Sequence, residues 1–408
     1  MTPLVRPFAA LRPRAASAAA VIAPPYDVVN SDEARALAAG RPHSFLHISR
    51  PEIDLPNGSS PYSDEAYAQG ARSLERLITE GVLVRDDQPS FYIYRMVMAG
   101  RTQTGVAFVG SVRAYEQNRI RRHELTRPDK ETDRVRNIAT LNAQTGPVLL
   151  AYRASSTLRE LLGMATNAAP LFSVTGPNDV VHTIWRAHPA TAATLEAEFA
   201  ALDALYIADG HHRSAAAARV AAQRRGAPDA SHEFFLAVAF PHDEMRILDY
   251  NRVVRDLNGL SPDALLARIR MSFRVEPLTG AKSPAHPATF AMYLAGHWYE
   301  LTIRATLVPR HDPVASLDIS LLQDHLLAPI LGLGDPRTDT RIDFVGGVRG
   351  LAELENRVQS GRSAVAFALH ATRMEQLMAV ADAGKLMPPK STWFEPKLAD
   401  GLLSHVLD

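Results

Sequence analysis

The chain has 408 residues, of which 46% are hydrophobic and 22% charged, with 44 basic and 44 acidic side chains. That is enough chain for two or three domains with a sizeable core, and the composition is not that of a disordered polypeptide. Charge balance removes any general pull toward nucleic acid or anionic membrane, and the absence of Cys removes disulfides, thiolate metal sites, iron–sulfur clusters and cysteine nucleophiles.

No apolar run approaches the roughly 18 residues that a membrane-spanning helix needs. The Ala- and Arg-rich stretch from Ala9 to Ala23 lacks an unbroken apolar core and contains Arg12, Pro13 and Arg14, so it reads as folded chain rather than a targeting peptide. A cytoplasmic location is the expectation.

In chain order, Pro24-Pro25 fixes an extended entry to Tyr26 and Asp27, and Ser31-Asp32-Glu33 marks a helix start. A Pro-, Gly- and Ser-rich loop over 51–61 precedes an amphipathic helix over 64–80 that Gly81 ends. Two β-type runs, 91–98 and 104–112, read as a hairpin. A dense polar stretch over 119–144 follows, either a solvated surface or the wall of a charged site. Next come a strand over 181–185, a helix over 190–202, a short strand over 204–207, and an Ala-rich helix from Ser214 to 225 stopped by Gly226. Runs at 234–240, 290–294 and 298–303 read as strands, 316–327 and 373–383 as helices, and 387–397 as an irregular basic tail. The best break between domains falls near 150–200, giving an N-terminal α/β region over 1–150 and a second region over 151–408.

The strongest chemical signal is the strand, the turn Asp209-Gly210-His211-His212-Arg213, and the helix after it. Gly210 permits a tight turn and close approach of a ligand, a helix start offers unpaired N–H groups, and Arg213 adds a planar cation. Asp209 could hold Mg²⁺ or orient a hydroxyl, and His211 or His212 could move a proton or bind a phosphate oxygen. The competing reading is a structural turn with Asp209 as helix cap. A second cluster runs from Arg121, Arg122, His123 and Glu124 through Thr126, Lys130, Glu131, Asp133 and Arg134. Glu124 among cations could stay ionised as a general base for a hydroxyl nucleophile, with His123 as the alternative base. The rest could be an exposed, salt-bridged surface. A third cluster, Pro388-Pro389-Lys390-Ser391-Thr392, is not a P-loop because Gly384 stands alone where two glycines are needed. Lys390 and Ser391 could close over a phosphate or belong to a packed tail, and Tyr26 with Asp27 could face the site or simply form a proline-defined turn.

Four ordered blocks resemble the DUF1015 family along nearly the whole chain: Pro24-Pro25-Tyr26-Asp27-Val28, Arg122-His123-Glu124 with Thr126, Lys130, Asp133 and Arg134, Tyr206 to Arg213, and Met387 to Thr392 with Pro396-Lys397. Asn251-Arg252 departs from the His-Arg pattern of that family. The Asp-Gly-His-His-Arg block is in turn similar to the phosphate-binding turn of the ParB/sulfiredoxin superfamily, which includes free-serine kinases, nucleotide-dependent DNA clamps and sulfinic-acid reductases. With no Cys for the reductase chemistry and neither a helix-turn-helix nor a basic face for DNA, the resemblance implies the small-molecule kinase branch, linked to serine metabolism. It implies an α+β fold with a ParB/sulfiredoxin-like core, additional mixed sheet and flanking helices. It also implies phosphotransfer to a small hydroxylated metabolite such as free L-serine, with Mg²⁺ and ATP, ADP, CTP or a pyrophosphate-type donor. The roles that follow are Asp209 as metal or hydroxyl orienter, His212 and Arg213 as phosphate binders, and Glu124 as base. A phosphatase, or a nucleotide-responsive binding protein without turnover, would use the same residues.

Overall fold

Helix starts are set by local capping chemistry. Asn30 accepts hydrogen bonds from the N–H groups of Asp32 and Glu33 while Glu33 answers the Asn30 N–H, a reciprocal box that opens the helix Ser31–Ala38. Ser63 caps Asp64–Thr79 and Ser155 caps Ser156–Ala165 in the same spirit. The structure, a computed structural model, describes residues 3–224 and 226–408.

The chain divides into two units, Met1–Met245 with Pro396–Asp408, and Arg246–Glu395. In the first unit, among the described residues, nine strands form one mixed sheet. Its main path runs 120–121, 205–209, 148–152, 234–241, 101–111, 92–98, 181–186, 172–175, and Val5–Arg6 pairs with 101–111. The hairpin Tyr92–Met98 with Arg101–Ser111 forms as its pattern predicts. The central strands Val148–Tyr152 and Phe234–Pro241 pair in parallel and are buried at every residue. Both faces are therefore covered, which is why these strands read as continuous apolar runs rather than alternating ones. A second, four-stranded sheet joins 83–85, 10–13, 404–406 and 143–144, so the C-terminal segment is stitched into the first unit. The break expected near residue 150 falls inside the main sheet, whose neighbours of 148–152 come from 205–209 and 234–241. Pairing of distant segments, invisible in composition, sets the unit boundaries instead.

The core of this unit centres on Phe108, Tyr152 and Phe199, whose rings meet edge to face at centroid distances of 5.1 and 5.5 Å. The Ala-rich helix spans His211–Arg224 and is buried on two sides. Ala217 and Ala221 pack on the sheet core, and Ala216 and Val220 on Val135 and Ile138 of the helix Pro128–Leu141. Small side chains let that helix lie close to both layers, so its alanines answer packing as well as propensity.

The second unit holds a six-stranded antiparallel sheet, in the order 273–278, 297–303, 289–294, 365–369, 250–254, 342–346, and the short pair 246–248 with 393–395. The helix expected over 316–327 is α-helical only over Asp318–Leu322 and widens into a π turn over Gln323–Leu327. The whole is α+β, as the sequence implied. Among the described residues no helix is long and apolar enough to cross a membrane.

Candidate functional site

The strand Leu205–Asp209 brings Asp209 to its C-terminal end, with a register slip between Ile207 and Asp209 against Val148–Tyr152. Such a bulge re-aims the last side chain. Gly210 then turns the chain with φ +106°, and a Cβ there would meet the Arg213 guanidinium at 3.2 Å and Val148 Cα at 3.3 Å. Glycine satisfies both the backbone conformation and the space. The helix begins at His211, three residues earlier than its alanines suggest, so all of His211, His212 and Arg213 sit in its first turn. That turn carries N–H groups without intrahelical acceptors and the positive end of the helix dipole.

Arg213 folds back across the turn. It donates to the Pro147 carbonyl and lies 3.5 Å from Asp209 and 4.0 Å from Asp27. Burial works against its charge, but Asp209 and Asp27 more than restore it, holding the guanidinium firmly protonated. Arg213 lines one small cavity, partly open to solvent, together with Tyr26, Arg134, Asn137, Gly146 and Asp400. The Arg134 guanidinium lies 3.8 Å from the centre of the Tyr26 ring and makes two hydrogen bonds, 2.9 and 2.7 Å, to Asp133. Asp133 also accepts from the Tyr67 hydroxyl at 2.7 Å. Arg134 is thus no surface charge but a largely buried cation lying over an aromatic face. Asp400, 2% exposed, accepts from the Tyr26 N–H at 3.2 Å. Burial pushes its carboxyl up to about 7, partly opposed by Arg213.

The two histidines separate in role. His211 is buried, with its ring edge-on to His123 at 4.5 Å, Nε2 3.4 Å from the His123 N–H and Nδ1 3.9 Å from the Glu124 carboxylate. Burial pushes both imidazoles down, His123 to about 4 and His211 well below its ordinary value, so both are neutral near pH 7. His212 is half-buried, its pKa lowered chiefly by that burial, and its Nε2 accepts from the Arg127 N–H at 3.0 Å. It therefore ties down the loop before the helix Pro128–Leu141, and this nitrogen is engaged by protein rather than directed at a phosphate.

Asp209 is flanked by cations: Lys397 Nζ donates to it at 3.2 Å, and Arg213 is beside it. Burial pushes this carboxyl up, but Lys397 and Arg213 outweigh burial and keep it ionised far below the usual carboxylate range. The expected Mg²⁺ role of Asp209 does not fit this setting, because a divalent ion would face two cations where it needs several oxygen ligands. No other cluster of three carboxylates or histidines close enough to share an ion occurs among the described residues except His123, Glu124 and His211, and its two nitrogens do not suit Mg²⁺ either.

The remaining expected residues are spread out. Arg122 is exposed over the Tyr115 ring and Lys130 donates to the Tyr62 hydroxyl at 2.8 Å; neither lines the cavity. Lys390 and Ser391 belong to the second unit. There the Lys390 carbonyl accepts from buried Arg252 at 3.0 Å, the Lys390 ammonium lies 5.6 Å from the Tyr250 ring centre, and the Ser391 hydroxyl donates to the Pro388 carbonyl. Ser391 is spent on shaping its own turn. Asp400 is the residue that motif reasoning passes over. Its signal is a lone carboxylate inside the apolar run Leu398-Ala399-Asp400-Gly401-Leu402-Leu403, a setting in which an acid is usually buried for a reason.

A family model described as "Protein of unknown function (DUF1015)" matches residues 5–320. The chain belongs to the DUF1015 family. No curated protein matches its sequence. Among solved structures, this DUF1015 chain is similar to a free serine kinase in complex with AMP at 14% identity and TM-score 0.36, over 71% of this chain and 86% of that one. It is similar to a conserved hypothetical protein from Pyrococcus furiosus at 13% identity and TM-score 0.35, over 75% and 97%. SbnI from Staphylococcus aureus, with a C-terminal truncation, is similar at 11% identity and TM-score 0.39, over 72% and 85%.

Proposed function

We propose that this DUF1015 protein is a phosphotransferase acting on a small hydroxylated metabolite, with free L-serine the first candidate acceptor and a nucleotide or pyrophosphate-type compound the donor. The observation that carries the reading is the pairing of two largely buried arginines, Arg134 and Arg213, whose side chains are 13% and 12% exposed, on one cavity beside the Gly210 turn. Both are held in place before any ligand arrives, Arg134 by Asp133 and Tyr26 and Arg213 by the Pro147 carbonyl. A planar cation so fixed suits the oxygens of a phosphate and costs little reorganisation on binding.

Phosphoryl transfer asks mainly for alignment and charge neutralisation. Arg213 and the first helical turn supply these at the turn, and Arg134 adds a second cation across the cavity. Glu124, about half exposed and next to neutral His211, is the candidate for accepting the acceptor hydroxyl's proton. Any Mg²⁺ would enter with the nucleotide's own phosphates, since no cluster of oxygen ligands suited to it occurs among the described residues. The ParB/sulfiredoxin-like character of the strand, turn and helix over 205–224 is part of the same proposal.

The test is incubation of the purified protein with Mg²⁺, L-serine and, in turn, ATP, ADP, CTP or pyrophosphate, followed by ³¹P NMR. Phosphoserine formed by the native protein and reduced at least ~100-fold by Arg213→Met supports the reading. Phosphate released from added phosphoserine, with no phosphoserine formed from any donor, would replace it with a phosphatase. Silence in both directions, with nucleotide still bound, would leave a ligand-responsive protein without turnover.

A further inference from the structure

We propose that His123, Glu124 and His211 form a binding site for one divalent first-row metal ion of the Zn²⁺ type. One ligand atom from each residue lies within 4.8 Å of the other two. Three ligands around an ion at ~2.1 Å sit ~3.4 Å apart, so closure asks for side-chain movements of about an ångström, together with release of the His123 N–H from His211 Nε2 so that one His211 nitrogen has a free lone pair.

A second, independent observation comes from His123 itself. The residue is 2% exposed, and its Nδ1 has no hydrogen-bond partner. Its ring is also hydrogen-bonded to the Ile207 carbonyl, which leaves Nε2 as the donor and fixes the tautomer with a bare lone pair on Nδ1. A buried imidazole with one nitrogen anchored to a backbone carbonyl and the other unsatisfied is how proteins hold a metal-ligating histidine in orientation. Glu124 supplies the anionic ligand and sits 3.9 Å from His211, too far for a hydrogen bond and within closing distance of a shared ion.

The donor set selects the ion. Two imidazoles and one carboxylate match borderline ions, Mg²⁺ favours oxygen alone, and the chain has no Cys to provide a thiolate site elsewhere. Because His211 follows Gly210 directly, the ion lies next to the turn where an anionic substrate would bind, and its open positions would accept substrate oxygens or water. The site is argued from the three side chains alone and does not depend on the phosphotransfer reading; a Glu124 carboxylate bound to the ion would not also serve as the general base, so the two roles of Glu124 are alternatives.

The experiment is calorimetric titration of chelator-stripped, full-length protein with Zn²⁺, Mn²⁺ and Mg²⁺, with Co²⁺ absorption as an independent report of nitrogen and oxygen ligands. One equivalent per chain is expected for Zn²⁺, at least ~100-fold tighter than Mg²⁺ and tighter than Mn²⁺. Glu124→Gln, at a half-exposed position that tolerates change, should weaken binding at least ~10-fold, and His211→Asn should abolish it. Circular dichroism of each variant checks folding, and Glu124→Gln alone decides the matter if His211→Asn misfolds. Absence of stoichiometric binding, or binding that Glu124→Gln leaves unchanged, overturns the site. These titrations contain neither nucleotide nor serine, so their failure and the failure of the phosphoserine assay are read separately.

Discussion

Replacing Asp400 with Asn should change how the first unit responds to pH. The carboxyl is 2% exposed and is pushed from an ordinary 3.8 up to about 7, by burial first, with Arg213 pulling the other way. A raised carboxyl means that the folded state binds a proton that the unfolded chain has already released. Stability from this group is therefore fully present below about pH 4, falls by about 1.4 kcal/mol per pH unit, and is lost above about pH 7. The interval is roughly three pH units, so the swing is ~4 kcal/mol. The Asn side chain keeps an oxygen for the Tyr26 N–H and carries no ionisation. Wild type and Asp400→Asn should thus differ least near pH 4, with the variant gaining ~4 kcal/mol relative to wild type by pH 8. Urea unfolding from pH 4 to 8 measures this, with Trp185 as the reporter in a Trp298→Phe/Trp393→Phe background. A stability difference that stays constant within about 1 kcal/mol across that range would refute the reasoning and mean that the Arg213 charge prevails over burial.

Other perturbations test the turn, the buried cation and the local caps. Gly210→Ala forces a side chain into φ +106° against Val148 and the Arg213 side chain, and should cost about 2 kcal/mol in chemical denaturation. Arg134→Met strands buried Asp133 with only the Tyr67 hydroxyl as a named partner and should destabilise by ~3 kcal/mol; adding Asp133→Asn should recover part of that, and a double variant no better than the single would count against the ion pair. Asn30→Ala removes the side-chain oxygen that accepts from the Asp32 and Glu33 N–H groups, leaves the backbone N–H that donates to Glu33, and should lower stability by about 1 kcal/mol, read as a drop in melting temperature.

Much of the fold was legible because it rests on near-neighbour chemistry. The helix Asp64–Thr79 follows from its apolar spacing and its Ser63 cap, and the hairpin 92–98 with 101–111 from two apolar runs around a short turn. Gly210 was legible as a turn because a positive φ demands glycine. The start of the next helix was misplaced because His211 and His212 are indifferent helix formers, held there by partners in the segment 123–127. The chemistry of the 119–144 stretch was equally hidden. Arg134 and Arg122 look alike in sequence, yet one is locked between Asp133 and Tyr26 and the other lies exposed over Tyr115.

What the sequence determined by itself was part of the element set, such as the helix Asp64–Thr79 and the hairpin 92–98 with 101–111, the α+β class, the glycine turn, and the family blocks that mark which segments matter. These depend on backbone preference and on side chains within about four residues, where the geometry of a helix or strand is already fixed. Tertiary structure alone decided which charges meet. His123 reaches His211 across 88 positions, Asp209 meets Lys397 across 188, and Tyr26 meets Asp400 across 374. Burial then sets the protonation of each group, making His211 neutral, Asp209 ionised and Asp400 a reluctant acid. The reason is that desolvation and pairing energies depend on distance in space, and only the packed sheet and its helices bring those side chains within it.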